Sequence, residues 1–130
     1  MWYLLWLVLL PRGPFDYLSL ITGKDTASSI VALLRQVELS QRKAKDILRA
    51  SELPLLKPEN RHVEKDIKKI RSKVPLSPIL LVVGDATLAI PLVIADGYHR
   101  MCAAYLFDED LAVHCKIAEL NWTQTKYSLT

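Results

Sequence analysis

Ile94-Ala95-Asp96-Gly97-Tyr98-His99-Arg100-Met101-Cys102-Ala103-Ala104 is the stretch on which the reading of this chain turns. Ile94 and Ala95 end an apolar, partly β-branched run that begins at Pro91, the pattern of a short buried strand. Asp96-Gly97 breaks the run, and glycine lets the backbone turn sharply without steric cost. Tyr98 to Phe107 then reads as a short helix, with Ala103 and Ala104 small enough for close packing. A strand therefore enters a tight turn and passes directly into a helix. The first N–H groups of such a helix have no intrahelical partner and lie at the positive end of its dipole. His99 and Arg100 add side-chain donors at the same end, so the segment is suited to a phosphate or another anion.

The flanks supply the rest of an α/β (α+β) domain with a small mixed sheet. Downstream, Leu111 to Ala118 alternates apolar residues and reads as a final strand, followed by a polar, irregular tail, Asn121 to Thr130. Upstream, Ile79 to Val83 is an apolar run too short for a helix, and Gly84-Asp85-Ala86 joins it to Pro91–Ala95 as a hairpin. Val63, Ile67 and Ile70 step by four and three, giving an amphipathic helix that Pro75 and Pro78 close. Pro58-Glu59-Asn60-Arg61 is a turn with Asn60 as the helix cap, and Leu53 to Lys57 is a candidate short strand.

Before residue 53 the sequence predicts helices. Ile30, Leu33, Leu34 and Val37 mark a helix over Thr26–Gln36, with Asp25 or Thr26 as its cap. Ser40 is expected to cap the next helix, with Ala44, Ile47 and Leu48 inward, Arg42, Lys43, Lys45 and Arg49 outward, and Pro54 as the stop. Asp16 to Ile21 has room for one helical turn. A helix-turn-helix reading fails on register: the turn glycine would be Gln36, and apolar positions of the second helix would fall on Arg42 and Lys45.

With 130 residues, half of them apolar, the chain is sized for one folded domain with its own core. We divide it into an apolar N-terminal segment and helical extension (1–52), a core (53–118) and a tail (119–130). Cys102 and Cys115 are too few for a disulfide framework and read as reduced thiols, which sets the expected location as cytoplasmic. The apolar run Met1 to Leu10, which the Pro11-Arg12-Gly13-Pro14 punctuation stops, is too short to cross a bilayer and lacks the flanks of a secretory signal. It reads as a segment packed on the core or against a partner chain, as in a homodimer, with peripheral membrane contact as the alternative. Charge is uneven: Arg35 to Lys73 holds twelve basic and six acidic residues against a net +3 for the whole chain. That stretch suits either nucleic acid or the solvated faces of two helices.

In this order of parts the chain resembles the ParB/sulfiredoxin superfamily. The resemblance rests on Asp96-Gly97-Tyr98-His99-Arg100 between a strand and an alanine-rich helix, on the Asn60-Arg61 loop before a helix, and on Leu76-Ser77-Pro78-Ile79-Leu80-Leu81-Val82 leading through proline into a strand. It covers Leu53 to Ala118. In sulfiredoxins a cysteine nucleophile precedes the His-Arg pair; here Tyr98 stands there, so the resemblance does not imply sulfinic acid reduction. In ParB proteins the turn grips nucleotide phosphates and a downstream module reads DNA; thirty residues follow Arg100, too few for that module. Free-standing members include a kinase acting on free serine, and the layout here is most similar to these.

The resemblance therefore implies phosphate or nucleotide binding, with small-molecule kinase or nucleotide hydrolase activity as the matching chemistry. The cofactor expected is a nucleotide with Mg²⁺, and the partner a nucleotide or phosphorylated small molecule; no zinc or haem is expected. Gly97, Tyr98, His99, Arg100, Asn60 and Arg61 are the candidate phosphate or nucleotide contacts, and Asp96, His99 and Glu59 the candidate catalytic groups. Arg100 has the fork to clamp phosphate, or it pairs with Asp96 or Glu59. His99 holds phosphate or shuttles a proton, or it supports the turn. Asp96 serves a metal or a hydroxyl, or it caps the helix. Tyr98 stacks on a base or fills the rim of the core. His99, Cys102, His114 and Cys115 lack the close cysteine pair that nucleates a zinc site. The alternative to an enzyme is an interaction module, working through residues 1–10 or the basic helices.

Overall fold

The computed structural model describes residues 12–123, and the Met1–Leu10 segment and the last seven residues of the tail lie outside them. The chain forms helices α1 (Arg12–Thr22) and α2 (Lys24–Gln36), strand β1 (Ser40–Lys43), and helices α3 (Ala44–Ser51) and α4 (Arg61–Arg71). Strand β2 (Ile79–Val82), a single 3₁₀ turn, strand β3 (Val93–Asp96), helix α5 (Tyr98–Phe107) and strand β4 (Ala112–Ala118) complete it. This is an α+β architecture around a mixed four-stranded sheet in the order β1-β4-β2-β3. The hairpin pairs β2 and β3 antiparallel, β4 runs parallel to β2 with Ile79 opposite Cys115, and β1 closes the far edge antiparallel to β4.

Strand alternation assigns each face of the sheet its own core. Ile79, Leu81, Ile94, Val113 and Cys115 point to one side, where they meet Ala44 and Ile47 of α3, Val63 and Ile67 of α4, and Met101 to Ala104 of α5. Leu80, Val82, Ala95 and Ala118 point to the other, where Leu18 of α1 and Ala27, Ile30, Val31 and Leu34 of α2 cover them. All four residues of β2 are buried, which is why Ile79–Val82 reads as a continuous apolar run rather than an alternating one.

The elements from α4 to β4 agree with the sequence within a residue or two at each end, and α5 spans the predicted Tyr98–Phe107. Nearer the N-terminus four expectations are corrected. Asp16–Ile21 is part of an eleven-residue helix, not one turn: Pro14 sits in its first turn, where no intrahelical N–H is required, and starts a helix rather than breaking one. Helix α2 begins two residues earlier than expected, and its N-cap is Gly23 at φ 84°, with no side-chain cap from Asp25 or Thr26. Ser40 does not cap a helix. It opens β1, whose polar residues stay largely exposed because an edge strand is held by its backbone pairing. Leu53 to Lys57 forms no strand, and α3 ends before Pro54, at Glu52 in the left-handed region.

Candidate functional site

The site is built where β3 ends. Asp96 closes the strand, Gly97 adopts φ 102° and ψ 22°, and α5 starts at Tyr98 with no side chain capping it. The first intrahelical bond runs from Met101 N–H to the Gly97 carbonyl, at 2.9 Å. The N–H groups of Tyr98, His99 and Arg100 precede that bond, so helix geometry gives them no partner within α5. A Cβ on residue 97 would lie 2.9 Å from Nη2 of Arg100 and 3.1 Å from Cγ1 of Ile79, a tight fit that side-chain movement can ease, so glycine is called for chiefly by the backbone conformation.

Each predicted side chain has a definite place. Arg100 Nη2 donates to Asp96 Oδ2 at 3.1 Å and to the Pro78 carbonyl at 3.2 Å. Of the two ion pairs the sequence allowed, the one with Asp96 forms. Both side chains are sheltered, 21% and 29% exposed. The Arg100 Nε is buried with no hydrogen-bond partner among the described residues. The His99 ring lies 4.9 Å from that of His62 and 5.9 Å from that of Tyr98, centroid to centroid. Tyr98 donates its hydroxyl to the Pro54 carbonyl, tying the 53–57 segment to the start of α5. Burial raises the Tyr98 phenol above its ordinary range, and neighbouring Cys102 adds to the effect. Burial likewise raises the Cys102 thiol, which keeps it protonated and a poor nucleophile.

The second polar cluster is only partly drawn in. Asn60 accepts from the N–H groups of His62 and Val63 at 3.0 and 3.2 Å, so its side-chain oxygen is engaged as the cap of α4. Glu59 and Arg61 are exposed and form no ion pair among the described residues. The residue that reaches the turn is His62, which the sequence placed beside these three without giving it a role. Its signal was its position: as the second residue of a capped helix, its backbone N–H is fixed by Asn60. Among the described residues no three His, Cys, Asp or Glu side chains converge to hold a metal ion.

Together these features offer an anion free backbone donors, the positive end of a helix dipole and two imidazoles at one edge. No helix among the described residues is long and apolar enough to cross a membrane. Comparison of the chain with known protein families, with curated proteins and with solved structures gives no match.

Proposed function

We propose that this chain binds a phosphate-bearing ligand, a nucleotide with Mg²⁺, at the start of α5, in the manner of free-standing ParB/sulfiredoxin-like domains. The observation that carries the reading is the uncapped N-terminus of α5 behind Gly97, with His99 and His62 meeting beside it. In this reading the amides of Tyr98 and His99 take phosphate oxygens, the two histidines hydrogen-bond the same group, and exposed Arg61 neutralises charge from the α4 side. Arg100 positions the turn by holding Asp96 and the Pro78 carbonyl, and so acts on the ligand through the backbone rather than as a free clamp. Turnover, as a kinase or hydrolase, is the natural extension of such a site, with Asp96 as the carboxylate nearest the turn.

The test is thermal unfolding with ATP, ADP, CTP, GTP, pyrophosphate and phosphate, each with and without Mg²⁺. A ligand at a hundredfold over its Kd adds about 2.7 kcal/mol, a rise of several degrees in Tm. The expected result is a rise for one nucleotide that is lost in the double variant His62→Ala, His99→Ala. No rise with any member of the panel rejects the reading.

The exposed apolar side of α1 favours a second reading, a module that works by self-association. Leu20 is 85% exposed, with Tyr17 and Ile21 beside it on the same helix at 46% and 41%. On that reading the chain sediments as a dimer and Leu20→Glu returns it to a monomer, with no response to nucleotides.

A further inference from the structure

A cleft of about 240 Å³ opens between the α4–β2 connection and the first residues of β4, with Arg100 on its wall. Lys73 and Arg100 line it, the latter already paired with Asp96, and no carboxylate is among its lining residues, which also include His114. The Ser77 hydroxyl adds a neutral polar group, and the remaining wall is apolar, led by Ile70 and Val113. His114 is held in place from the neighbouring strand, its Nε2 lying 3.0 Å from the Gln41 side-chain nitrogen. Lys73 is exposed, its backbone in the left-handed region at φ 60°. The buried Nε of Arg100 has no acceptor among the described residues, although Asp96 satisfies Nη2 of the same guanidinium.

We infer that this cleft binds a small organic acid, one carboxylate joined to an apolar body. The carboxylate sits among Lys73, Arg100 and His114, and the body lies against Ile70 and Val113. The cleft is larger than the roughly 150 Å³ cavity that accepts benzene, so a ring with a short acidic arm fits it. Inorganic phosphate would leave the apolar wall wet, and a neutral hydrocarbon would leave the Lys73 ammonium and the Arg100 Nε without an acceptor. The cleft shares Arg100 with the phosphate reading of the α5 turn, while Lys73, Ser77 and His114 come from elements that the turn does not use.

The test is calorimetric titration of the full chain with phenylacetate, alongside amide spectra, using phenethylamine as the cation of the same shape and phosphate as the bare anion. Phenylacetate is expected to shift the amides of Ile79 and Val113 and to release heat on binding. Phenethylamine is expected to do neither. Lys73→Asn removes the charge while keeping a residue that tolerates the left-handed backbone, and should weaken Kd about tenfold. His114→Gln, on the exposed face of β4, serves as the second variant, with the same direction expected. Equal binding of phenethylamine, unchanged affinity in both variants, or phosphate shifting Val113 as strongly as phenylacetate would overturn the assignment. Phosphate shifting only Tyr98 and His99 supports it, by separating the two sites.

Discussion

At the scale of single residues, Gly97 and Arg100 carry the turn together. Gly97→Ala places a methyl group against the Arg100 guanidinium, which can move, and imposes a side chain at φ 102°, which cannot be relieved. A loss of about 2 kcal/mol is expected, read as a fall in Tm with the helical circular dichroism retained. A fork free to clamp phosphate, one of the two roles the sequence allowed Arg100, would stand exposed at the turn. The Arg100 side chain is instead 21% exposed and bridges β3 to the residue before β2, so Arg100→Ala leaves Asp96 sheltered and unpaired. The expected cost is about 2 kcal/mol in denaturant titration, with Arg100→Ala, Asp96→Ala less than additive. The Gly-Tyr-His-Arg cluster was legible because its chemistry is local. Where the guanidinium turns was not, since its partner Pro78 stands twenty-two residues away.

Among the elements, α4 shows what a cap contributes. Asn60 satisfies two N–H groups of an otherwise charged, weakly apolar helix, and the same turn presents His62 to His99. Asn60→Ala should cost about 1 kcal/mol and Asn60→Asp nearly nothing, by thermal unfolding. The alanine variant should also broaden the His62 and His99 ring signals, because the helix start frays. Elements whose signal lies in their own side chains, such as α4 with Val63 and Ile67 or β2 with its apolar run, could be read directly. Those fixed by backbone pairing or by chain direction could not. Ser40-Gln41-Arg42-Lys43 looks like the polar start of a helix, and it becomes a strand only because β4 offers an open edge. Pro14 looks like a stop, and acts as a start.

For the molecule as a whole, charge and topology matter most. The basic stretch is dispersed over β1, α3 and α4, and part of it is neutralised: Lys45 lies 2.7 Å and Lys43 3.7 Å from Asp110. The Lys45 ammonium is raised and the Asp110 carboxyl lowered by this pairing. Lys116 is different. It is 4% exposed in the middle of β4, its Nζ donating to the Arg35 carbonyl at the end of α2, and burial lowers its pKa below the ordinary 10.5. A base whose folded pKa is depressed binds fewer protons folded than unfolded, so stability rises with pH from that depressed value up to 10.5. Lys116→Met should therefore raise Tm at neutral pH, by about 1 kcal/mol of stability, and the advantage should shrink as pH climbs toward 10.5. A series of melting curves from pH 7 to about 10.5 for both proteins checks this. The order β1-β4-β2-β3 also has a consequence for biosynthesis. The last strand among the described residues, β4, occupies the middle of the sheet, and Ser40 waits for Cys115, seventy-five residues later, before it has a partner. While a ribosome is still making the chain, the β2–β3 hairpin can form, but β1 has nothing to join and Leu80 and Leu81 have no neighbour on their other edge. The growing polypeptide therefore exposes its most apolar strand until β4 has been made, which makes the interval before residue 118 the one in which a chaperone would have most to shield.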